Sequence, residues 1–132
     1  MLIANKHIYP MLGFLDSMNL KGRESLGRTK LKTKLEPKSE IFGKDQEEII
    51  NEFDGWVDRD AGRFTTDNKE MNEALSEFYK EEVEIVYNSP FRKDFEKALE
   101  NYEGDLEGIN ADMYAILYEQ LVEEKTTEEE NK

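Results

Sequence analysis

Residues 23–53 read RESLGRTKLKTKLEPKSEIFGKDQEEIINEF, and the fold turns on whether they form one rod or two. Leu35, Phe42 and Ile49 recur at seven-residue intervals, with Leu31, Ile50 and Phe53 beside them. That recurrence is the apolar stripe of an amphipathic helix. Glu36-Pro37 is a legitimate break, because proline lacks an N–H and pushes its predecessor out of the helical region. Gly43 weakens the rod further. The apolar phase nevertheless continues across Pro37, which favours one long, kinked helix over two helices in tandem.

Upstream, Ile8, Met11, Leu12, Leu15 and Met18 fall on one helical face. Pro10 requires that helix to start nearby. Met1 to Ala4 precede it as a short strand, and Asn19 to Gly22 form the turn into the rod. Downstream, Asp54-Gly55 stops the rod, and Trp56-Val57 with Arg63-Phe64 flank a glycine-containing hairpin turn. Asp67 followed by Glu70 has the form of a capping box, opening a helix that carries Met71, Leu75, Phe78 and Tyr79. Val83, Ile85 and Tyr87 suggest a strand. Ser89-Pro90 then supplies an N-cap and first helical residue for Phe91, Phe95, Ala98, Leu99 and Tyr102. After Gly104 or Gly108, Asn110 caps a last helix bearing Met113, Ile116, Leu117 and Leu121. The predicted class is mainly α (α+β), with about five helices and a minor antiparallel sheet or hairpin. Residues 1–122 form one domain, and the polar run 123–132 is expected to be a flexible acidic tail.

At 132 residues the chain suits one domain with a core of its own. Seven Phe, six Tyr and one Trp supply bulky core material. Zero cysteines exclude disulfides, thiolate metal sites and a cysteine nucleophile. No run approaches the roughly 18 apolar residues of a membrane span, so the expectation is a soluble protein inside the cell with no membrane partner.

The net charge is −13, yet it is sorted along the chain. Residues 1–44 carry net +5 and the remainder net −18. Lys21, Arg23, Arg28, Lys30, Lys32, Lys34 and Lys38 face only Glu24 and Glu36. This order opposes the helix dipole, which favours acids at the amino end at about 0.3–1 kcal/mol per well-placed charge. Helix stability therefore does not explain it. Internal or solvated pairing, an acidic protein partner and nucleic acid all remain open readings.

Catalytic equipment is sparse. His7 is the only histidine, and no serine sits in a Gly-x-Ser-x-Gly elbow. Walker, Rossmann and zincin motifs are missing. Asp58-x-Asp60-x-Gly62 departs from a calcium loop, with its glycine one place early and Lys69 at the glutamate position, so it reads as a turn. No cofactor or metal is implied. Trp56, beside Val57 and Phe64, is either a binding hot spot or, by the more ordinary reading, buried under the hairpin.

Phe14-Leu15-Asp16-Ser17, Leu20-Lys21-Gly22 and Arg28-Thr29-Lys30-Leu31, followed by a long charged helix, form a combination that continues through Glu81–Ile85 to Asp112-Met113-Tyr114 and Leu117. It resembles a family of small uncharacterised proteins from tailed phages of Gram-positive bacteria. Pro10 and Pro37 depart from the family pattern. The resemblance implies a phage origin and residence in the cytoplasm of the infected bacterial cell, and carries over no catalytic residue. Taken with the residues, it leads to the expectation of a non-enzymatic, phage-encoded binding protein that engages a host or viral protein, inhibition of a host defence being one form. The partner-binding residues would be Lys21, Arg23, Arg28, Lys30, Lys32, Lys34 and Trp56. A nucleic-acid-binding accessory protein using residues 21–38 and a virion assembly component are the alternatives.

Overall fold

The computed structural model describes residues 1–124. A short strand, β1 (Leu2–Ala4), passes through a tight turn, Asn5–His7, into α1 (Ile8–Ser17). The long helix α2 runs from Gly22 to Glu52. A hairpin of β2 (Val57–Asp58) and β3 (Arg63–Phe64) follows, then α3 (Lys69–Lys80), β4 (Glu82–Glu84), α4 (Arg92–Glu100) and α5 (Gly108–Tyr118). The last helix widens into a π-type turn at Glu119–Glu123. Of the expected tail, Glu123 and Glu124 continue this helix, and residues 125–132 lie outside the described residues.

Pro37 does not divide α2. Gly27, Leu31, Leu35, Ser39 and Phe42 hold one buried line through it, while Pro37 itself is exposed. The hydrogen bond lost by the proline is therefore on the side where water can replace it. Anchoring on both sides holds the helix across the gap. Phe42 stacks on Phe78 with ring centroids 5.4 Å apart and meets Tyr9 edge-on at 5.7 Å. Burial of that kind offsets the roughly 3 kcal/mol cost of an interior proline.

Two apolar clusters share α2. The larger joins Ile8, Met11, Phe14 and Leu15 of α1 to Leu31, Leu35, Phe95, Leu99, Met113 and Leu117. The smaller, at the far end, groups Ile50, Met71 and Leu75 under Val57 and Phe64 of the hairpin. The first strand pairs antiparallel with β4 in the register Leu2↔Glu84, Ile3↔Val83, Ala4↔Glu82. Asn5, buried at the end of that ladder, donates from Nδ2 to the Phe78 carbonyl at 2.9 Å and so ties β1 to the end of α3.

Local boundaries differ from expectation by a few residues. Of the strand expected over 83–87, β4 covers Val83 and Glu84 and begins one residue earlier at Glu82; Ile85 still exchanges backbone bonds with Met1, and Ile85 and Tyr87 are buried. Asn68, one place after Asp67, caps α3 by accepting from the Met71 amide at 3.0 Å. Ser89 accepts from the Phe91 amide at 3.1 Å but does so in a turn, and α4 begins at Arg92. The last helix starts at Gly108 without a side-chain cap, two residues ahead of Asn110. In the hairpin, Asp58 accepts from the Ala61 amide at 3.2 Å, so the Asp58–Gly62 segment is a side-chain-stabilised turn.

The end of α2 is a Schellman motif: the Gly55 amide reaches Ile50 O at 2.9 Å and the Asp54 amide reaches Asn51 O at 3.0 Å. Asp54 occupies the left-handed position (φ 57°) where glycine is usual. Glycine is needed at 55 instead, since a Cβ there would lie 2.7 Å from Ile50 Cγ2. Asp54→Gly should therefore stabilise the protein by about 1 kcal/mol, read as a shifted urea midpoint with unchanged slope. Gly27→Ala should do the opposite. Its new Cβ would meet Phe91 O at 2.5 Å and Phe95 Cβ at 2.7 Å. Overpacking of this kind costs about 1–3 kcal/mol and outweighs the gain in helix propensity. A stabilised Gly27→Ala protein would contradict the close approach of α4 to α2.

Candidate functional site

The six basic residues proposed for partner binding separate into three groups, and Trp56 stands apart from them. Arg28 is internal. Its guanidinium donates to Leu15 O at 3.4 Å, to Met18 O, and to Ser25 Oγ at 3.0 Å. It thereby serves the Met18 carbonyl just past α1 and adds to the bond that Leu15 O already accepts from the Met18 amide. Arg23 pairs with Asp94 at 3.2 Å and lies 4.9 Å above the Phe91 ring, and Lys32 pairs with Asp16. Lys21, Lys30 and Lys34 are exposed and form no ion pair among the described residues.

Trp56 belongs to neither the basic run nor the core. It is 57% exposed, contrary to the buried reading, because the hairpin covers the small cluster with Val57 and Phe64 and turns the indole outward. Lys34 and the end of α2 are separated by roughly 27 Å of helix. The basic run and the tryptophan are thus two different surfaces.

Packing adds residues that the sequence reading missed. Gly27 lets α4 come against α2, and the Tyr87 hydroxyl donates to Gly27 O at 2.6 Å. Arg92 fixes the intervening loop, donating to Tyr87 O at 2.6 Å and to the buried Glu96 at 2.9 Å. The loop Asn88–Pro90 is thereby laid beside Lys30, Thr33 and Lys34, enclosing a cleft of about 320 Å³. On its other side the same loop borders a second cleft of about 510 Å³ with Arg92 and Lys93. The only hint of this in sequence was Gly27, four residues before Leu31 on the buried line.

Electrostatics make this face positive. Asp94 is engaged by Arg23, and Glu96 is engaged by Arg92. With those carboxylates neutralised, Lys30, Lys34 and Lys93 set the local field in a chain of net charge −13. Lys30 and Lys34 are one helical turn apart, a rise of roughly 6 Å. The arrangement can grip a compact group of anionic oxygens.

The shifted titrations lie elsewhere or are structural. Burial raises the Tyr87 phenol, opposed by Arg92 and helped by Glu96. Burial raises Tyr114 too, with Tyr118 adding to it, and its hydroxyl donates to Leu99 O. Burial and then Lys6 lower His7, which Asp112 opposes. The hydrogen bond from Arg59 lowers Glu47 on the exposed hairpin flank. Among the described residues no three His, Asp or Glu side chains come together to hold a metal ion. No described helix is long and apolar enough to cross a membrane.

No protein-family model, curated protein or solved structure matches this chain. What distinguishes the site is the geometry of its own side chains. That geometry separates two kinds of cation. Arg28→Ala should cost about 1–3 kcal/mol of stability by removing a charged donor from three acceptors, whereas Lys30→Ala and Lys34→Ala should stay within about 0.5 kcal/mol. Urea unfolding of the three variants checks this, and an Arg28→Ala protein as stable as the parent would contradict the structural role.

Proposed function

We propose that this chain is a phage-encoded, non-enzymatic binding protein that engages an acidic surface of a host or viral protein in the cytoplasm of the infected cell. Inhibition of a host defence is one form such binding takes. The observation that carries the reading is the face built by α2, the Asn88–Pro90 loop and the start of α4. There Lys30, Lys34 and Lys93 are exposed while Asp94 and Glu96, the two carboxylates in the first half of α4, are already engaged. The phage setting rests on the sequence resemblance through Phe14–Ser17, Leu20–Gly22 and Arg28–Leu31.

An acidic protein suits this face better than a nucleic acid. Three of the seven cations between Lys21 and Lys38 already have partners, Arg28 on the Leu15 and Met18 carbonyls, Arg23 on Asp94 and Lys32 on Asp16, so the run is not a continuous stripe for a phosphate backbone. The whole chain also repels a polyanion at long range. A short acidic patch needs only the local field and loses little to that repulsion at ordinary salt, where the Debye length is about 8 Å.

The test is affinity capture from infected-cell lysate at about 50 and 150 mM salt, comparing the parent with a Lys30→Glu/Lys34→Glu/Lys93→Glu variant. A stoichiometric protein partner is expected with the parent and should be lost with the variant, whose far-UV dichroism should be unchanged. Capture of nucleic acid with a steep salt dependence would favour the accessory-protein reading. Recovery of the same partner by both proteins would overturn the assignment to this face.

A further inference from the structure

A second surface, on the opposite kind of charge, is defined by the small sheet. Backbone bonds join Met1 to Ile85 at 2.7 Å and Asn5 to Glu81 at 2.8 Å, flanking the Ile3↔Val83 pair. In an antiparallel ladder the alternate residues point their N–H and C=O groups away from the partner strand. For β1 the outward positions are Leu2 and Ala4, and Leu2 is closed. Gln120 Oε1 accepts from the Leu2 amide at 2.8 Å while Gln120 Nε2 donates to the Leu2 carbonyl at 2.6 Å. For β4 the outward positions are Glu82 and Glu84, whose backbone groups meet no hydrogen-bond partner among the described residues. The β1 edge is closed at Leu2 by a side chain that imitates a strand, and the β4 edge has no such closure among the described residues.

The face beside the open edge is apolar in the middle and acidic at its rims. Leu2 is 48% exposed and Val86 is 59% exposed on the outer side. Leu2, Ala4 and Ile116 floor a groove of about 500 Å³. Glu82 and Glu84 line one side and Glu119 and Glu124 the other. Glu84 keeps 62% of its side chain exposed, although Oε1 lies 3.4 Å from the Met1 amino group. These carboxylates do not converge as a metal site would, so they suit positive charges spaced along a chain.

A second copy is the wrong occupant. Antiparallel pairing of β4 with itself sets glutamate against glutamate, and like charges directly opposite are destabilising. The same two glutamates favour a cationic strand. We propose that β4 accepts an extended basic segment of another protein as a third strand. Lys or Arg at every second position would lie beside Glu82 and Glu84, one strand spacing of about 4.8 Å away, and reach toward the groove. This surface is separate from the basic α2–α4 face and does not depend on it.

The probe is a short capped peptide alternating lysine with valine, titrated into the full ¹⁵N-labelled chain at about 50 mM salt. Its controls are the same peptide with glutamate for lysine and one N-methylated wherever an amide would face β4. Saturable shifts centred on Glu82–Val86 are expected, with slowed hydrogen exchange at the Glu82 and Glu84 amides. Binding should weaken roughly ten-fold on N-methylation, and similarly for a Glu82→Gln/Glu84→Gln protein. Equal binding of the N-methylated peptide would overturn the proposal by showing general attraction to an acidic chain. Shifts confined to other surfaces, or a dimer formed through β4, would do so as well.

Discussion

The close contact between α2 and α4 at Gly27 is the constraint on which the rest of the structure depends. A helix backbone approaches another this closely only where a side chain is missing, and Gly27 supplies the gap for Phe91 O and Phe95 Cβ. Once the two helices meet, the Tyr87 hydroxyl reaches the Gly27 carbonyl and Phe95 meets Tyr87 edge-on with centroids 6.4 Å apart. Arg92 then secures the loop from below through Glu96 and the Tyr87 carbonyl. The same contact that closes the core therefore shapes the basic face.

Charge sorting in this molecule has two jobs that a linear reading merges. Some of the basic run is spent on internal contacts: Arg28 on the carbonyls of Leu15 and Met18, Arg23 on Asp94, Lys32 on Asp16. Exposed pairs of this kind contribute little individually, whereas the partly buried Arg28 contacts satisfy groups that would otherwise be stranded. The rest of the run remains in water with no pair among the described residues. The unfavourable order of charges along α2 is consistent with this division, since the dipole loss is small beside what tertiary contacts recover. Four glutamates, Glu82, Glu84, Glu119 and Glu124, line the groove over the β1–β4 sheet, opposite in sign to Lys30, Lys34 and Lys93.

Much of the architecture was legible in the sequence. The seven-residue recurrence of Leu35, Phe42 and Ile49 gave the long helix, and the stripes at Met71–Phe78, Phe95–Leu99 and Met113–Leu121 gave three more. Asp54-Gly55 marked the end of α2, although the roles of the two residues are the reverse of the usual ones. Less of the candidate site was readable. Lysines on the run could be named, but nothing in the order of residues told Arg28 from Lys30, because the difference is which of them points at the end of α1.

Residue order carries the periodic and local features: helical stripes, stops, the sorting of charge, and the sparse catalytic equipment. Those follow from a repeat of 3.6 residues and from chemistry that each residue carries alone. Tertiary structure alone decided that β1 pairs with β4 across some eighty residues of chain, that Trp56 faces outward, and that Lys93 and the Asn88–Pro90 loop join Lys30 and Lys34. Each of these depends on which faces bury one another, a property of pairs of elements that no single stretch of sequence contains.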